Sequence, residues 1–215
     1  MVYSQKIHLM YLPFFPLKLV AFPGEELNLH VFEQRYQDLL EDVENNGISF
    51  GICVFTDKLS GYGTEVILEK VKKRYEDGRM DIQTRGVSVF KILSFDNPAE
   101  GKLYTGGNVS FLKDELTITD VQHHEFIFYL KEMLHLLNFE VEFDPLKVNS
   151  FTFGHKLGLR LEEELELLQM ESESDRINFL IEHFKRMIPV IKAVESAKEK
   201  IKLNGHFKYL DPLSF

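Results

Sequence analysis

Cysteine is nearly absent: Cys53 is the only one in 215 residues. No internal disulfide is available, and zinc sites built on cysteine are excluded. The lone thiol points to a reducing compartment. Excess positive charge is also missing. Asp and Glu number 34 against 25 Lys and Arg, a net charge of −9. Such a chain is a poor general ligand for nucleic acid or an anionic membrane. Nor is there an unbroken apolar run. Residues 7–22 come nearest, but Pro13, Pro16 and Lys18 interrupt them, and no small-x-small cleavage site follows. A signal peptide needs a continuous apolar segment, and a membrane span needs about 20 apolar residues. The reading is a soluble, cytoplasmic protein. No G-x-x-x-x-G-K-[ST] loop occurs either, which excludes ATP hydrolysis by the P-loop route.

What is present is ordinary globular material: 44% hydrophobic and 27% charged residues. Disorder and low-complexity classes are excluded. The length suits one domain or two small ones and allows roughly 70% of the unfolded chain's surface to be buried. The acidity is uneven. Residues 1–113 hold 13 Lys/Arg and 15 Asp/Glu, whereas residues 114–215 hold 12 and 19. Texture changes at the same place, predicting a strand-rich domain with one helix over 1–113 and a helical one over 114–215.

In the first part, residues 9–15 read as an extended run that continues through 17–22. Leu27, Leu29 and Val31 alternate with Asn28 and His30, a half-buried strand. The period then switches. Tyr36, Leu39, Leu40 and Val43 share a helical face over 33–44, and Gly47 supplies a left-handed C-terminal stop. Residues 49–56 are an apolar strand. Asp77-Gly78 predicts a two-residue hairpin turn between strands 66–76 and 79–90. That register sets Glu76 opposite Arg79, Arg74 opposite Asp81, Lys72 opposite Gln83 and Lys70 opposite Arg85, all on one face. Val71, Tyr75, Met80 and Ile82 share the other face, with Lys73 breaking the alternation. The apolar phase shifts after Gly86, which predicts a bulge. Residues 103–111 are a further strand.

From Thr117 the period is helical. Thr119-x-x-Gln122 is a capping box, ahead of a face made by Ile118, Val121, Ile127, Leu130, Leu134 and Leu137. Residues 150–158 read as a short helix start and 162–169 as a helix. Residues 175–202 form a long helix with a stripe of Ile177, Leu180, Ile181, Phe184, Ile188 and Ile191. Pro189 should kink or divide it. Asn204-Gly205 should cap it, and the aromatic tail beyond is expected to dock, since disordered tails are poor in such residues.

The search for chemistry is mostly negative. Gly47-Ile48-Ser49-Phe50-Gly51 matches G-x-S-x-G, but here a helix precedes the serine and a strand follows, the reverse of the order a nucleophile elbow needs. Gly61-Tyr62-Gly63 lacks a third glycine and opens no helix. His123, His124 and His135 come without carboxylate spacing for a metal. Glu162-Glu163-Glu164, at a helix start where carboxylates suit the dipole, reads as a solvated face. Lys70, Lys72, Arg74, Arg79 and Arg85 on the hairpin are candidate phosphate contacts, though Glu76 and Asp81 lie among them. No catalytic residue, metal site or cofactor is predicted, and no peptide-binding residue is assignable.

Two runs carry a family resemblance. Leu12-Pro13-Phe14-Phe15-Pro16-Leu17, followed by Val20-x-Phe22-Pro23-Gly24, resembles the opening of the Lon substrate-binding domain family. Leu29-His30-Val31-Phe32-Glu33-x-Arg35-Tyr36 resembles its next signature. Phe50-Gly51-Ile52, Gly63-Thr64 and Asp77-Gly78-Arg79 follow in the expected order, and Leu165-x-Leu167-Leu168 with Asp175-Arg176-Ile177 is similar to its helical part. One departure is visible: where the family has an Arg-Phe pair after the strand glycine, this chain has Val89-Phe90. The resemblance implies an α+β fold, a PUA-like β pseudobarrel followed by a C-terminal helical bundle. It implies a non-catalytic, stand-alone module for unfolded or misfolded polypeptide, working with a protease or chaperone, and no membrane. In this reading the motif prolines blunt an edge strand and Arg35 pairs with a neighbouring carboxylate. The rivals are a PUA-like nucleic-acid or nucleotide binder using the basic hairpin, and a hydrolase using Ser49.

Overall fold

The structure, a computed structural model, describes residues 9–206, with side chains through residue 202. The chain forms two compact units. The first runs to Glu115 and also takes up Asn149–Glu173; the second holds Leu116–Val148 and the chain from Ser174 onward. The expected cut at 113/114 gave everything after it to the helical part. Residues 149–173 cluster with the strands instead, because their apolar side chains pack there: the Phe151 ring stacks on Phe22 at 5.5 Å.

The first unit is built on six strands: β1 (Leu9–Leu17), β2 (Glu26–Val31), β3 (Phe50–Phe55), β4 (Leu59–Arg74), β5 (Met80–Ile92) and β6 (Thr105–Phe111). Their order is β2-β5-β4-β3-β1-β6, and β6 pairs back onto β5. Only β1 and β3 are parallel. Closure depends on β5. One of its edges follows β4; the other pairs with β2 over residues 80–85 and with β6 over 90–92. Between those stretches Glu65 faces Ser88 and Val66 faces Gly86, so Val87 is an extra residue. This is the bulge expected after Gly86, and a bulge bends its strand. The pseudobarrel is thus formed.

β1 is apolar on both faces, and over residues 12–15 both are covered. Leu12 and Phe14 enter the barrel interior with Cys53, Phe90 and Val109. Phe15 turns the other way, into a core shared with Tyr36, Leu39, Leu40 and Val43 of α1 (Gln34–Asn46). Those four α1 residues are the predicted face, and Gly47 ends the helix at φ 61°. The proline reading is corrected. β1 lies inside the sheet, with Pro13 opposite Gly106 and Pro16 opposite Cys53. Each proline forgoes one donor while its carbonyl remains available.

Residues 149–173 contribute a 3-10 turn at Gly154–Lys156, in place of the expected helix start, and α3 (Leu161–Gln169). The second unit contains α2 (Asp120–Leu136) and α4 (Glu173–His206), which begins in the first unit. The Thr119–Gln122 capping box is complete. Of the expected α2 face Ile127, Leu130 and Leu134 are buried, whereas Val121 is 76% exposed and Leu137 is exposed; Phe126 and Met133 are buried as well. The α4 stripe is as expected through Ile188. Phe126 stacks on Phe184, Lys185 reaches Glu125 at 3.1 Å, and Lys192 pairs with Glu132. These contacts ascend along both helices, so α2 and α4 run parallel. Pro189 lies inside α4 without dividing it, and the helix continues past Asn204-Gly205 to His206. The expected docking of the tail concerns residues 207–215, outside the described residues.

Candidate functional site

The catalytic and metal candidates are dispersed. Ser49 sits between the end of α1 and β3, and its Oγ donates to Glu65 Oε1 at 2.6 Å. His123 Nε2 bonds the Pro145 carbonyl and His124 Nδ1 the Asp120 carbonyl. Among the described residues, no group of three or more His, Cys, Asp or Glu is placed to hold a metal ion. Cys53 is fully buried, and burial pushes its thiol well above the ordinary range. Gly63 belongs to β4, where its role is packing: a Cβ there would stand 2.7 Å from the Phe90 ring.

The hairpin register differs from the expected one. Gly78 N–H donates to the Tyr75 carbonyl, and Tyr75 N–H to the Arg79 carbonyl. Gly78 has φ 86°. This is a three-residue loop, a turn followed by a left-handed glycine, so Tyr75 rather than Glu76 faces Arg79. A shift of one residue turns side chains to the other face. Two further bulges, between Leu68 and Lys70 and between Val71 and Lys73, shift it again. The second explains Lys73, which faces Asp81 while Lys72 is the extra residue.

The five cations are therefore not gathered on one face. Arg74 faces buried Met80 and pairs with Glu44 of α1. Arg85 is held by Glu69, with Glu26 3.8 Å away. Arg79 pairs with Asp77 at 2.7 Å, and Lys72 bonds Asn28. Lys70, opposite Gln83, has no ion-pair partner among the described residues.

The acidic run on α3 is not uniformly solvated. Glu164 is buried and bonds His155 Nδ1 at 2.8 Å; Nε2 of the same ring lies 3.2 Å from Glu25. The bond to Glu164, then that to Glu25, raises the His155 pKa to about 10 against the opposing effect of burial. His155 is a cation at neutral pH, fastening the 149–173 segment to the loop after Phe22. Arg35 does pair with Glu33, at 2.7 Å, and lies over the Tyr36 ring.

The largest unabsorbed feature is the outer face of β1, β6 and the end of β5. Leu9 and Lys91 both face Ser110. Tyr11 faces Asn108, to whose carbonyl Leu93 N–H donates. Pro13 and Asp96 both face Gly106. Leu9, Tyr11 and Leu93 are 64%, 46% and 49% exposed. One end of this face opens into a cleft of ≈ 350 Å³ bordered by Leu93, Phe111 and Leu112. The other opens into one of ≈ 380 Å³ lined by Tyr11, Pro13, Ile48, Ala99 and Tyr104, with Asp96, Glu100 and Lys102 around it. Sequence reasoning assigned none of these residues to binding. Their only signal is an apolar side chain in a strand, and that signal also describes a core residue.

A closed sheet of this connectivity with appended helices places the chain among PUA-like pseudobarrel domains. Within that class it belongs to the ATP-dependent protease La (LON) substrate-binding domain family, whose model matches residues 11–186. A Lon N-terminal domain protein from Xanthomonas campestris is 29% identical, with a TM-score of 0.63 over 80% of this chain and 97% of that one. The N-terminal domain of Mycobacterium avium complex Lon protease is 14% identical, with a TM-score of 0.62 over 82% and 98%, a likeness of fold alone. No curated protein matches the chain. The family motifs acquire physical reasons here. Gly51 and Gly63 make room for Phe90: a Cβ on Gly51 would lie 2.5 Å from its ring.

Proposed function

We propose that this chain is a non-catalytic module that recognises unfolded or misfolded polypeptide and presents it to a protease or chaperone. Family membership supports recognition of protein substrates in general. The observation that carries the reading on this molecule is the exposed apolar sheet face of Leu9, Tyr11 and Leu93, continued at both ends by clefts. Contiguous exposed apolar surface marks interaction sites. An extended segment laid across three strands gains contact at each row without needing a fold of its own.

The rival is nucleic-acid binding through the hairpin. Four of its five cations are already compensated by carboxylates or an amide, which weakens the positive field a phosphate backbone needs. The experiment is fluorescence anisotropy with a labelled, reduced and carboxymethylated protein, its folded parent, and a single-stranded RNA. The unfolded probe should bind best, its affinity should change little between 50 and 200 mM salt, and Leu93→Asp should weaken it. Preference for RNA with a steep salt dependence would overturn the reading.

A further inference from the structure

We propose that the cleft between β1 and the 96–104 loop is a specificity pocket: it takes one aliphatic or aromatic side chain of an extended polypeptide whose neighbouring residues are Lys or Arg. The inference rests on the polypeptide reading above and narrows it to a client class. The inner lining is apolar, with Tyr11 and Pro13 from β1, Ile48 from the α1–β3 connection, and Ala99 and Tyr104 from the loop. Its ≈ 380 Å³ lies within the range of small-ligand sites. It is too small for an element of secondary structure with its side chains, and it admits a side chain from a strand crossing the adjoining sheet face.

Charge selects the neighbours. The cleft shares Ala99, Glu100 and Lys102 with a second hollow, which is also lined by Asp38, Glu41 and Asp42 of α1. Counting Asp96, five carboxylates ring the two hollows against one ammonium. That ammonium is spent locally, since Lys102 Nζ is 2.7 Å from Asp42, which also accepts from Tyr104 Oη at 2.6 Å. Glu41, Asp96 and Glu100 have no ion pair among the described residues. With Lys102 held by Asp42, Asp96 (which accepts from Tyr11) and Glu100 leave the cleft's own rim negative around a largely apolar floor, and Glu41 adds to that field from the neighbouring hollow. Basic flanks would be drawn in, and acidic flanks would meet like charge. No comparable excess surrounds the cleft at Leu93, whose charged lining residues are Lys91, Lys113 and Glu171.

The test uses the full chain and three fluorescein-labelled decapeptides. One carries a central Leu-Phe between Lys-Arg pairs, one the same centre between Asp-Glu pairs, and one Ser-Ser between Lys-Arg pairs. The first should bind roughly ten-fold tighter than either other. Glu100→Lys, at an exposed turn, should cut the basic-to-acidic ratio to roughly three-fold or less. Glu76→Lys, the same reversal at the hairpin tip, should leave the ratio unchanged. Ile48→Ser should weaken the Leu-Phe peptides and spare the Ser-Ser one. Circular dichroism checks that each variant is folded. Equal binding of basic and acidic peptides overturns the proposal, as does Ser-Ser binding as well as Leu-Phe, or an equal response to Glu76→Lys. If those results appear while the carboxymethylated protein still binds, the pocket is lost and the polypeptide reading survives. If nothing binds, both fall.

Discussion

His155 and Glu164, both within the 149–173 segment, form an ion pair, Nδ1 to Oε1 at 2.8 Å, with Glu25 on the other side of the ring. The histidine side chain is 30% exposed, enough to stay partly hydrated but not enough to ignore its partners. Its pKa, raised to about 10, gives the pair a defined pH signature.

A histidine whose folded pKa lies above its unfolded value stabilises the fold fully below the unfolded pKa, near 6.5. The contribution declines as pH rises and is lost above the folded value. His155→Gln should therefore cost about 1–2 kcal/mol at pH 6, allowing for solvent screening. The difference between wild type and variant should shrink toward zero between pH 6.5 and 10. Thermal melts of both proteins across that range measure it. A gap independent of pH would show that the imidazolium does not carry the contact.

Phe90 sets a second prediction. Gly51→Ala and Gly63→Ala should each destabilise by about 1–3 kcal/mol through overpacking. They should differ in rescue. The nearest obstacle at Gly51 is the Phe90 ring, whereas at Gly63 it is the Ile52 carbonyl, 2.5 Å from the added carbon. Phe90→Leu should then relieve most of Gly51→Ala but only part of Gly63→Ala, where the Ile52 carbonyl remains in the way. Urea denaturation of the two double-mutant cycles would show the contrast as stronger coupling in the first.

In the helical unit, Thr119→Ala removes an N-cap whose oxygen accepts from Gln122 N–H. The expected cost is about 1 kcal/mol. Val121→Ala, on a side chain 76% exposed, should be silent within about 0.5 kcal/mol. Equal effects would mean that Val121 is covered in solution.

Ser49 bears on the proposal of a non-catalytic module. The purified chain should release no phosphate from ATP and should not degrade casein, and Ser49→Ala should leave both assays at background. The serine hydroxyl is engaged by Glu65, and the helix-to-strand context does not raise it on an elbow. Activity that vanished in the alanine variant would reinstate the hydrolase reading.

Much of the fold was legible because local pattern and tertiary burial agree. The α1 face of Tyr36, Leu39, Leu40 and Val43, the Gly47 stop and the Thr119–Gln122 box are rules of one or two helical turns, and all stand as expected. The hairpin was legible only as a hairpin. Asp77-Gly78 serves a two-residue or a three-residue loop equally well, and strand bulges leave little trace in composition. The five cations then scatter between β-sheet faces according to a register that cross-strand packing chose. Glu164 was misread for a similar reason. A glutamate in an acidic run is ordinarily solvated, and only a histidine nine residues earlier, brought round by the Gly154–Lys156 turn, makes its burial tolerable.

By itself the sequence determined the kinds of element, their capping, the family and the lack of a phosphate loop, since these depend on side-chain identity at short spacing. Tertiary structure alone decided that Pro13 and Pro16 lie inside a closed sheet, because closure joins β1 to β6 across some ninety residues of chain. It also returned residues 149–173 to the strand-rich unit, where buried Phe151 and a paired His155 hold them. The outer apolar face follows from the same cause. Residues 9–13 are no less apolar than residues 12–15, yet Tyr11 is exposed and Phe14 buried. Which side of a strand meets the barrel interior is fixed by long-range pairing, where loop-closure entropy is offset by packing that no local pattern encodes.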